Sequence, residues 1–208
     1  MPTVYLATLN EHKVQELIAI LATFGRRDLD VRPASEIAAD LIWDEVGSTF
    51  VENARIKALA VREALGKRGM ADAAWVLADD SGLEVDALGG QPGVHSSRYA
   101  GAGATAEANN AKLRAELAKL DPERRRQFPA RFTCALYCID ERGREQAFTG
   151  VCEGAVVADA RGRHGFGYDP LFIVQGRDGL TMAELPEEEK NRLSHRRKAL
   201  DLWLGAIS

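Results

Sequence analysis

The chain has 208 residues, 46% hydrophobic and 28% charged, with a formal net charge of −4. That is enough apolar material to bury a core without disulfide or metal staples, and the acidic balance argues against a broad nucleic-acid groove, which needs a basic face. No run approaches the roughly 20 apolar residues of a membrane span, and the opening "PTVYLATLN" has neither the basic region nor the length of a secretion signal; a cytoplasmic enzyme or binding protein is expected, with no membrane or nucleic-acid partner.

"TVYLAT" (3–8) reads as a short buried strand. Val14, Leu17, Ile18 and Leu21 then recur at helical spacing, with Asn10 placed to cap that helix. A second strand is expected over 29–34 and irregular chain over 35–44. "STFVENARIKALAVREAL" (48–65) reads as a helix: Thr49 and Glu52 make a capping box, and Phe50, Ala54, Ala58, Val61 and Leu65 form the apolar stripe. Asn53 and Lys57, four apart, point the same way on another face. "WVLAD" (75–79) is a third strand, expected to end at the aspartate pair. Residues 83–101 begin extended and pass into a Gly/Pro loop. A helix follows over 105–120 from Thr105, then strands over 130–140 and 145–157 joined by a turn at Glu141-Arg142-Gly143. A Gly-rich stretch becomes strand-like over 165–174, a charged run follows, and a last helix covers 194–207 with Ser194 as its cap. Cys134, Cys138 and Cys152 lack metal-ligand spacing and read as small buried hydrophobes. With no repeat and no linker, the pattern predicts one α/β domain with a mixed sheet.

Four places carry groups suited to chemistry. Thr8, Asn10 and Lys13 surround a strand–turn–helix junction, where unpaired N–H groups and a lysine working against the helix dipole suit an anion. Glu45, Asp79 and Asp80 are hard oxygen donors of the kind that bind Mg²⁺ together with phosphate oxygens, and one of the pair is placed to act as a general base; Asp80-Ser81-Gly82 also reads as a plain turn. In "HGFGYDP" (164–170) the glycines flanking Phe166 leave its ring either accessible for stacking on a nucleobase or folded into the core, and Asp169 is an acceptor for a base N–H. Lys190, His195 and Arg196 gather at a helix start, where a phosphate or a carbonyl-bearing base fits, as does a solvated charged face.

In their order, "TLNEHK" (8–13), "EVGSTFVENARIKA" (45–58), "LADDSGLEVDALGGQPGVHSSRYAG" (77–101), "ARF" (130–132), "GFGYDPLF" (165–172) and "MAELPEEEKNRLSHR" (182–196) resemble the inosine triphosphate pyrophosphatase family over nearly the whole chain. The resemblance implies an elongated mixed sheet flanked by helices, with two lobes and a central active-site cleft. It implies a homodimer that hydrolyses deaminated purine nucleotides (ITP, dITP, XTP) to the monophosphate and pyrophosphate with Mg²⁺, cleansing the nucleotide pool. It places Thr8, Leu9, Asn10, Glu11, His12 and Lys13 at the triphosphate, with Lys57. Glu45 and Asp80 become metal ligands with Asp79 beside them as a further candidate, and Asp80 the proton acceptor. Ser81, Phe166, Gly167, Tyr168, Asp169, Lys190, His195 and Arg196 become substrate contacts. Two places depart from the family's usual pattern: Leu9 replaces a small or polar residue, and "PGVHSSRY" carries His95 and Ser97 where Tyr and Ala are usual.

Overall fold

The structure is a computed structural model that describes every residue except 1–2, 9, 27, 38–40, 124–126 and 208. Among the described residues one sheet is built from β1 (Thr3–Ala7), β2 (Asp30–Pro33), β3 (Ala74–Val85), β4 (Phe128–Ile139), β5 (Glu145–Val156) and β6 (Phe172–Val174). Their order is β2-β1-β3-β4-β5-β6. β1 is parallel to both β2 and β3, while β5 and β6 are antiparallel, so the sheet is mixed, as expected. Among the described residues five α-helices accompany it: α1 (Glu11–Thr23), α2 (Phe50–Lys67), α3 (Ala106–Leu120), α4 (Glu187–Leu193) and α5 (His195–Ala206).

The caps form where the side-chain chemistry puts them. Asn10 accepts from Lys13 N at 3.3 Å, and Thr49 and Glu52 close the capping box of α2. The stripe Phe50, Ala54, Ala58, Val61 and Leu65 is buried, as its spacing predicts. β4 and β5 are sheet neighbours joined by a turn in which Asp140 N donates to Arg144 O at 3.1 Å; so short a connection makes an antiparallel hairpin.

Two expectations are corrected. β3 does not end at the aspartates: it runs from Ala74 to Val85, and "DDSG" lies inside it rather than at a turn. Asp, Ser and Gly are poor strand formers, but the strand here is central, between β1 and β4, and cations neutralise both carboxylates. Second, the charged run before the last helix is itself helical, α4, starting after Pro186 with three glutamates in its first turn, where they suit the helix dipole. Ser194 is an extended residue between α4 and α5.

The chain divides into two compact units. One comprises 1–80, 134–150 and 196–208, the other 81–133 and 151–195. Each has its own apolar core. Val4, Leu6, Leu17, Ile20, Leu77, Leu136 and Trp203 are central to the first, and Leu83, Leu113, Leu117, Phe132, Leu171 and Phe172 to the second. Cys134 and Cys138 sit in the first core, Cys152 in the second, all three buried and reduced.

Candidate active site

In the first unit the chain moves outward from β1 to β2 through α1, then back across β1 to β3 through α2. The carboxyl end of β1 is therefore a topological switch point, the place where parallel α/β sheets bind ligands. Ala7 lies level with Ala78. β1 stops there and β3 continues, so Asp79 and Asp80 stand just beyond the end of β1.

Both aspartates are buried, and each is held differently. Asp79 is ion-paired through Oδ1 with Lys13 of α1. Its Oδ2 accepts from Arg196 Nε at 3.2 Å and from the Cys134 thiol at 3.1 Å. Burial alone would push its carboxyl up; Lys13 and Arg196 outweigh burial and hold it well below the usual carboxylate range. Asp80 Oδ1 takes the Lys57 ammonium at 2.6 Å, while its buried Oδ2 has no hydrogen-bond partner among the described residues. For Asp80 burial prevails over the pull of Lys57 and Lys13, and its carboxyl is raised. Two adjacent acids are thus driven in opposite directions. Pairs of titratable groups whose environments push them apart in this way are the pattern in which acid and base roles divide.

Lys57 Nζ also reaches Glu45 Oε1 at 2.7 Å and the Asp79 carbonyl at 3.1 Å. Burial pulls this ammonium down, but Asp80 and Glu45 more than offset it and hold the lysine above its ordinary value. Glu45 comes from a segment without regular structure, residues 41–47, and α2 fixes its far end. Gly47 N donates to Asn53 Oδ1 at 2.8 Å, and the carboxylate of Glu52 accepts from Ser48 N at 2.7 Å. Glycine is needed at 47: a Cβ there would come within 2.7 Å of Asn53 Oδ1 and of Glu52 Cβ. Arg196, expected from the sequence as a substrate contact, is buried and donates its Nη1 to Glu16 Oε2 at 2.9 Å. Of the first-turn residues, Thr8 is buried and its hydroxyl accepts from Asn10 N at 3.2 Å; Asn10, Glu11 and His12 are exposed. Leu9 lies outside the described residues.

The second unit gathers the remaining candidates. Gly165 and Gly167 both have positive φ and turn the chain sharply around Phe166, which is half-buried in a bend. This resolves the choice between accessible ring and core residue in favour of a partly open ring. Asp169 Oδ2 accepts from Phe166 N at 2.9 Å and pairs with Lys190 Nζ at 2.9 Å, and that ammonium stands 4.8 Å from the centre of the Phe166 ring. The loop is further pinned by Asn110, whose Nδ2 donates to Gly167 O at 2.9 Å, and by Tyr168, whose hydroxyl donates to Ser96 O at 2.8 Å. Tyr168 is itself buried, which pushes its phenol up. His195 stacks on Phe132, ring centres 5.0 Å apart and planes 14° apart, and Phe132 in turn packs on Phe172 at 4.6 Å. Ser81 is half-buried on β3. His95 and Ser97 are exposed on a 3-10 stretch, Gly93–Arg98.

The sequence reading did not single out Glu16, Asn53, Asn110 or Phe132 as site residues. For Glu16 a signal existed. It is three residues from Lys13 and sits between apolar helix positions, so a buried acid there demands a cation. Asn53 bonds Gly47 only six residues upstream, across the start of α2; for Asn110 and Phe132 the partners lie on distant segments, and only the fold brings them together.

A parallel switch point lined by paired carboxylates and lysines in one unit, and a short aromatic–glycine loop gripped by an acid and a lysine in the other, are features of a protein of nucleotide-handling type. Residues 4–204 match the model of the Ham1 family, and the chain belongs to that family. The dITP/XTP pyrophosphatase of Geobacillus kaustophilus (strain HTA426) is 46% identical over 204 residues, covering 96% of this chain and 91% of its own. That of Bacillus subtilis (strain 168) is 44% identical over 200 residues, covering 96% and 94%. Among solved structures, a HAM1 protein from Coxiella burnetii superimposes with a TM-score of 0.83 at 37% identity, covering 100% of this chain and 98% of its own. The family resemblance carried by the ordered motifs is thereby borne out.

Proposed function

We propose that this chain is a Mg²⁺-dependent nucleoside triphosphate pyrophosphatase that converts dITP, ITP and XTP to the monophosphate and pyrophosphate, removing deaminated purines from the nucleotide pool. The observation that carries the reading is the doublet Asp79–Asp80, two buried acids bound to different cations at the switch point of a chain 44% identical to a dITP/XTP pyrophosphatase.

The residues present fit a divalent ion. Glu45 and Asp80 would hold it, and Asp80 Oδ2 is a buried oxygen with no hydrogen-bond partner among the described residues. Among those residues no group of three His, Cys, Asp or Glu side chains forms a self-sufficient metal cage. Mg²⁺ does not require one, because it is usually held by one or two carboxylates plus substrate phosphates. Charge points the same way: Lys13, Lys57 and Arg196 face Glu16, Glu45, Asp79 and Asp80, three positive against four negative. A cluster of net charge −1 needs a further cation before it accepts a polyphosphate. When bound, the ion supplies charge neutralisation and a template for in-line attack.

The chain's own groups supply the rest. The raised carboxyl of Asp80 takes a proton from the attacking water. Lys13 and Lys57 offset charge that builds on the departing pyrophosphate. Asp79, locked by Lys13 and Arg196, keeps those cations in place. The Phe166–Asp169 loop, Lys190 and His195 receive the purine. Inosine and xanthosine offer an O6 acceptor and an N1–H donor, whereas adenine offers an amino group and a bare N1, so a donor aimed at O6 is left unpaired by adenine. A homodimer and a cytoplasmic location complete the reading, testable by light scattering and cell fractionation. The deciding experiment is pyrophosphate release from dITP, ITP, XTP, GTP and ATP, with Mg²⁺ and with EDTA. The expected result is a preference for the deaminated bases that vanishes in EDTA; equal rates on XTP and GTP would defeat the proposal.

A further inference from the structure

The two acids assigned to the metal are bridged by an ammonium. Lys57 Nζ lies 2.7 Å from Glu45 Oε1 and 2.6 Å from Asp80 Oδ1, on a side chain that is 5% exposed. These are contact distances of charge-assisted hydrogen bonds. The lysine is not a bystander at the rim: it also donates to the Asp79 carbonyl at 3.1 Å, so three oxygens from two segments converge on one cation. Without that charge, a buried Asp80 would face a half-buried Glu45, two neighbouring carboxylates that repel. A small hard cation and an ammonium make the same demand on such a pair: a divalent ion held through Asp80 Oδ2 would sit beside the ammonium that Oδ1 already carries, and the two like charges repel.

We propose that Lys57 is a resident cation that closes the Glu45–Asp80 pair in the free protein and competes with the divalent ion for it. The ammonium would have to turn to a phosphate oxygen before Glu45 and Asp80 could hold the ion, so metal and nucleotide would enter together and the free protein would bind metal weakly. This rests on the pyrophosphatase reading above for the identity of the metal ligands, but the competition is a property of these three side chains.

The test is Lys57→Met, with metal binding read directly by Mn²⁺ electron paramagnetic resonance on the nucleotide-free protein. The expected result is that Lys57→Met binds Mn²⁺ at least tenfold more tightly than the wild-type chain. The double variant Lys57→Met/Asp80→Asn should lose the gain. Thermal unfolding with and without Mg²⁺ covers the case in which the variant is too unstable to titrate. Mg²⁺ should then restore several degrees to Lys57→Met, or return its native circular dichroism if it is unfolded in EDTA, while moving the wild-type little. Equal or weaker Mn²⁺ binding by a folded Lys57→Met, or an unfolded variant that Mg²⁺ does not rescue, overturns the inference. If wild-type turnover still requires Mg²⁺ in that case, only the role of Lys57 falls. If wild-type turnover is undiminished in EDTA, the metal reading itself falls.

Discussion

Replacing Arg196 separates two roles that a sequence motif cannot distinguish: reading the base and holding the site together. Arg196 is 4% exposed, and its guanidinium spans two carboxylates, Asp79 at 3.2 Å and Glu16 at 2.9 Å. Arg196→Met keeps a stem of similar bulk and removes the fork. Asp79 retains Lys13 and Cys134. Glu16 fares worse, because its Oε1 already has no hydrogen-bond partner among the described residues and its Oε2 loses the arginine. Removing one partner of a buried ion pair costs about 3–5 kcal/mol. In a chain of this size each kcal/mol moves the midpoint by roughly 2–4 °C, so a fall of roughly 6–20 °C in Tm is expected. Glu16→Gln/Arg196→Met should recover much of it, since the uncompensated acid is gone, giving a coupling of at least about 1 kcal/mol in the double-mutant cycle. Thermal unfolding of the wild-type, both single variants and the double variant measures it. An Arg196→Met protein within about 2 °C of wild-type, or a strictly additive cycle, refutes the reasoning; altered XTP-over-GTP selectivity at unchanged Tm would make Arg196 a base contact instead.

Three further outcomes follow from the same geometry. Asp80→Asn should lower turnover by about 10²-fold or more, the scale of a lost general base, while leaving nucleotide bound; full turnover would remove Asp80 from the mechanism. Asp79 has a folded-state pKa depressed below the unfolded value of about 3.9, so the stability it confers is present above that pH and is lost as pH falls toward the folded value. Asp79→Asn should therefore flatten the acid limb of a stability–pH curve below about pH 4, measured by denaturant melts; an unchanged acid limb would assign that limb to other groups. Asn53→Ala leaves the Gly47 N–H without its acceptor, a loss of about 1–3 kcal/mol in local anchoring, and should raise the Mg²⁺ concentration needed for half-maximal activity, whereas Asn53→Asp, which keeps an acceptor, should not. Equal Mg²⁺ dependence in all three proteins would show that Asn53 does not position Glu45.

What the sequence discloses here depends on how far apart the cause and the effect lie along the chain. Asn10, Thr49 and Glu52 cap helices through bonds spanning three residues, and each is legible from spacing alone. The stripe from Phe50 to Leu65 is legible for the same reason. The end of β3 is not: "DDSG" has the local chemistry of a turn, and what keeps it extended is a lysine 23 residues upstream and an arginine 117 residues downstream. The pairing of Lys13 with Asp79 is likewise invisible locally, since it spans 66 residues. Motif order names the candidate residues but not their immediate partners, because it does not say which carboxylate each cation touches.

Those partners bear on selectivity. Lys13, Lys57, Lys190 and Arg196 each hold a carboxylate in the free protein. Under the proposed function a triphosphate would therefore meet no open positive charge at these four side chains; it would exchange with carboxylates at hydrogen-bond distance. Such an exchange is close to neutral in charge but demands that every cation move in step with its new partner. Under the proposed function, binding energy from the purine would be spent on driving it, which is how recognition remote from the reacting atoms is converted into turnover rather than mere affinity. A purine that leaves the Phe166–Asp169 loop unsatisfied supplies less of that energy. The pairs Lys57–Asp80 and Lys190–Asp169 then stay closed, and discrimination appears in kcat as well as in KM. The paired charges that make the free protein stable are on this view the same device that lets the base decide whether the phosphates react.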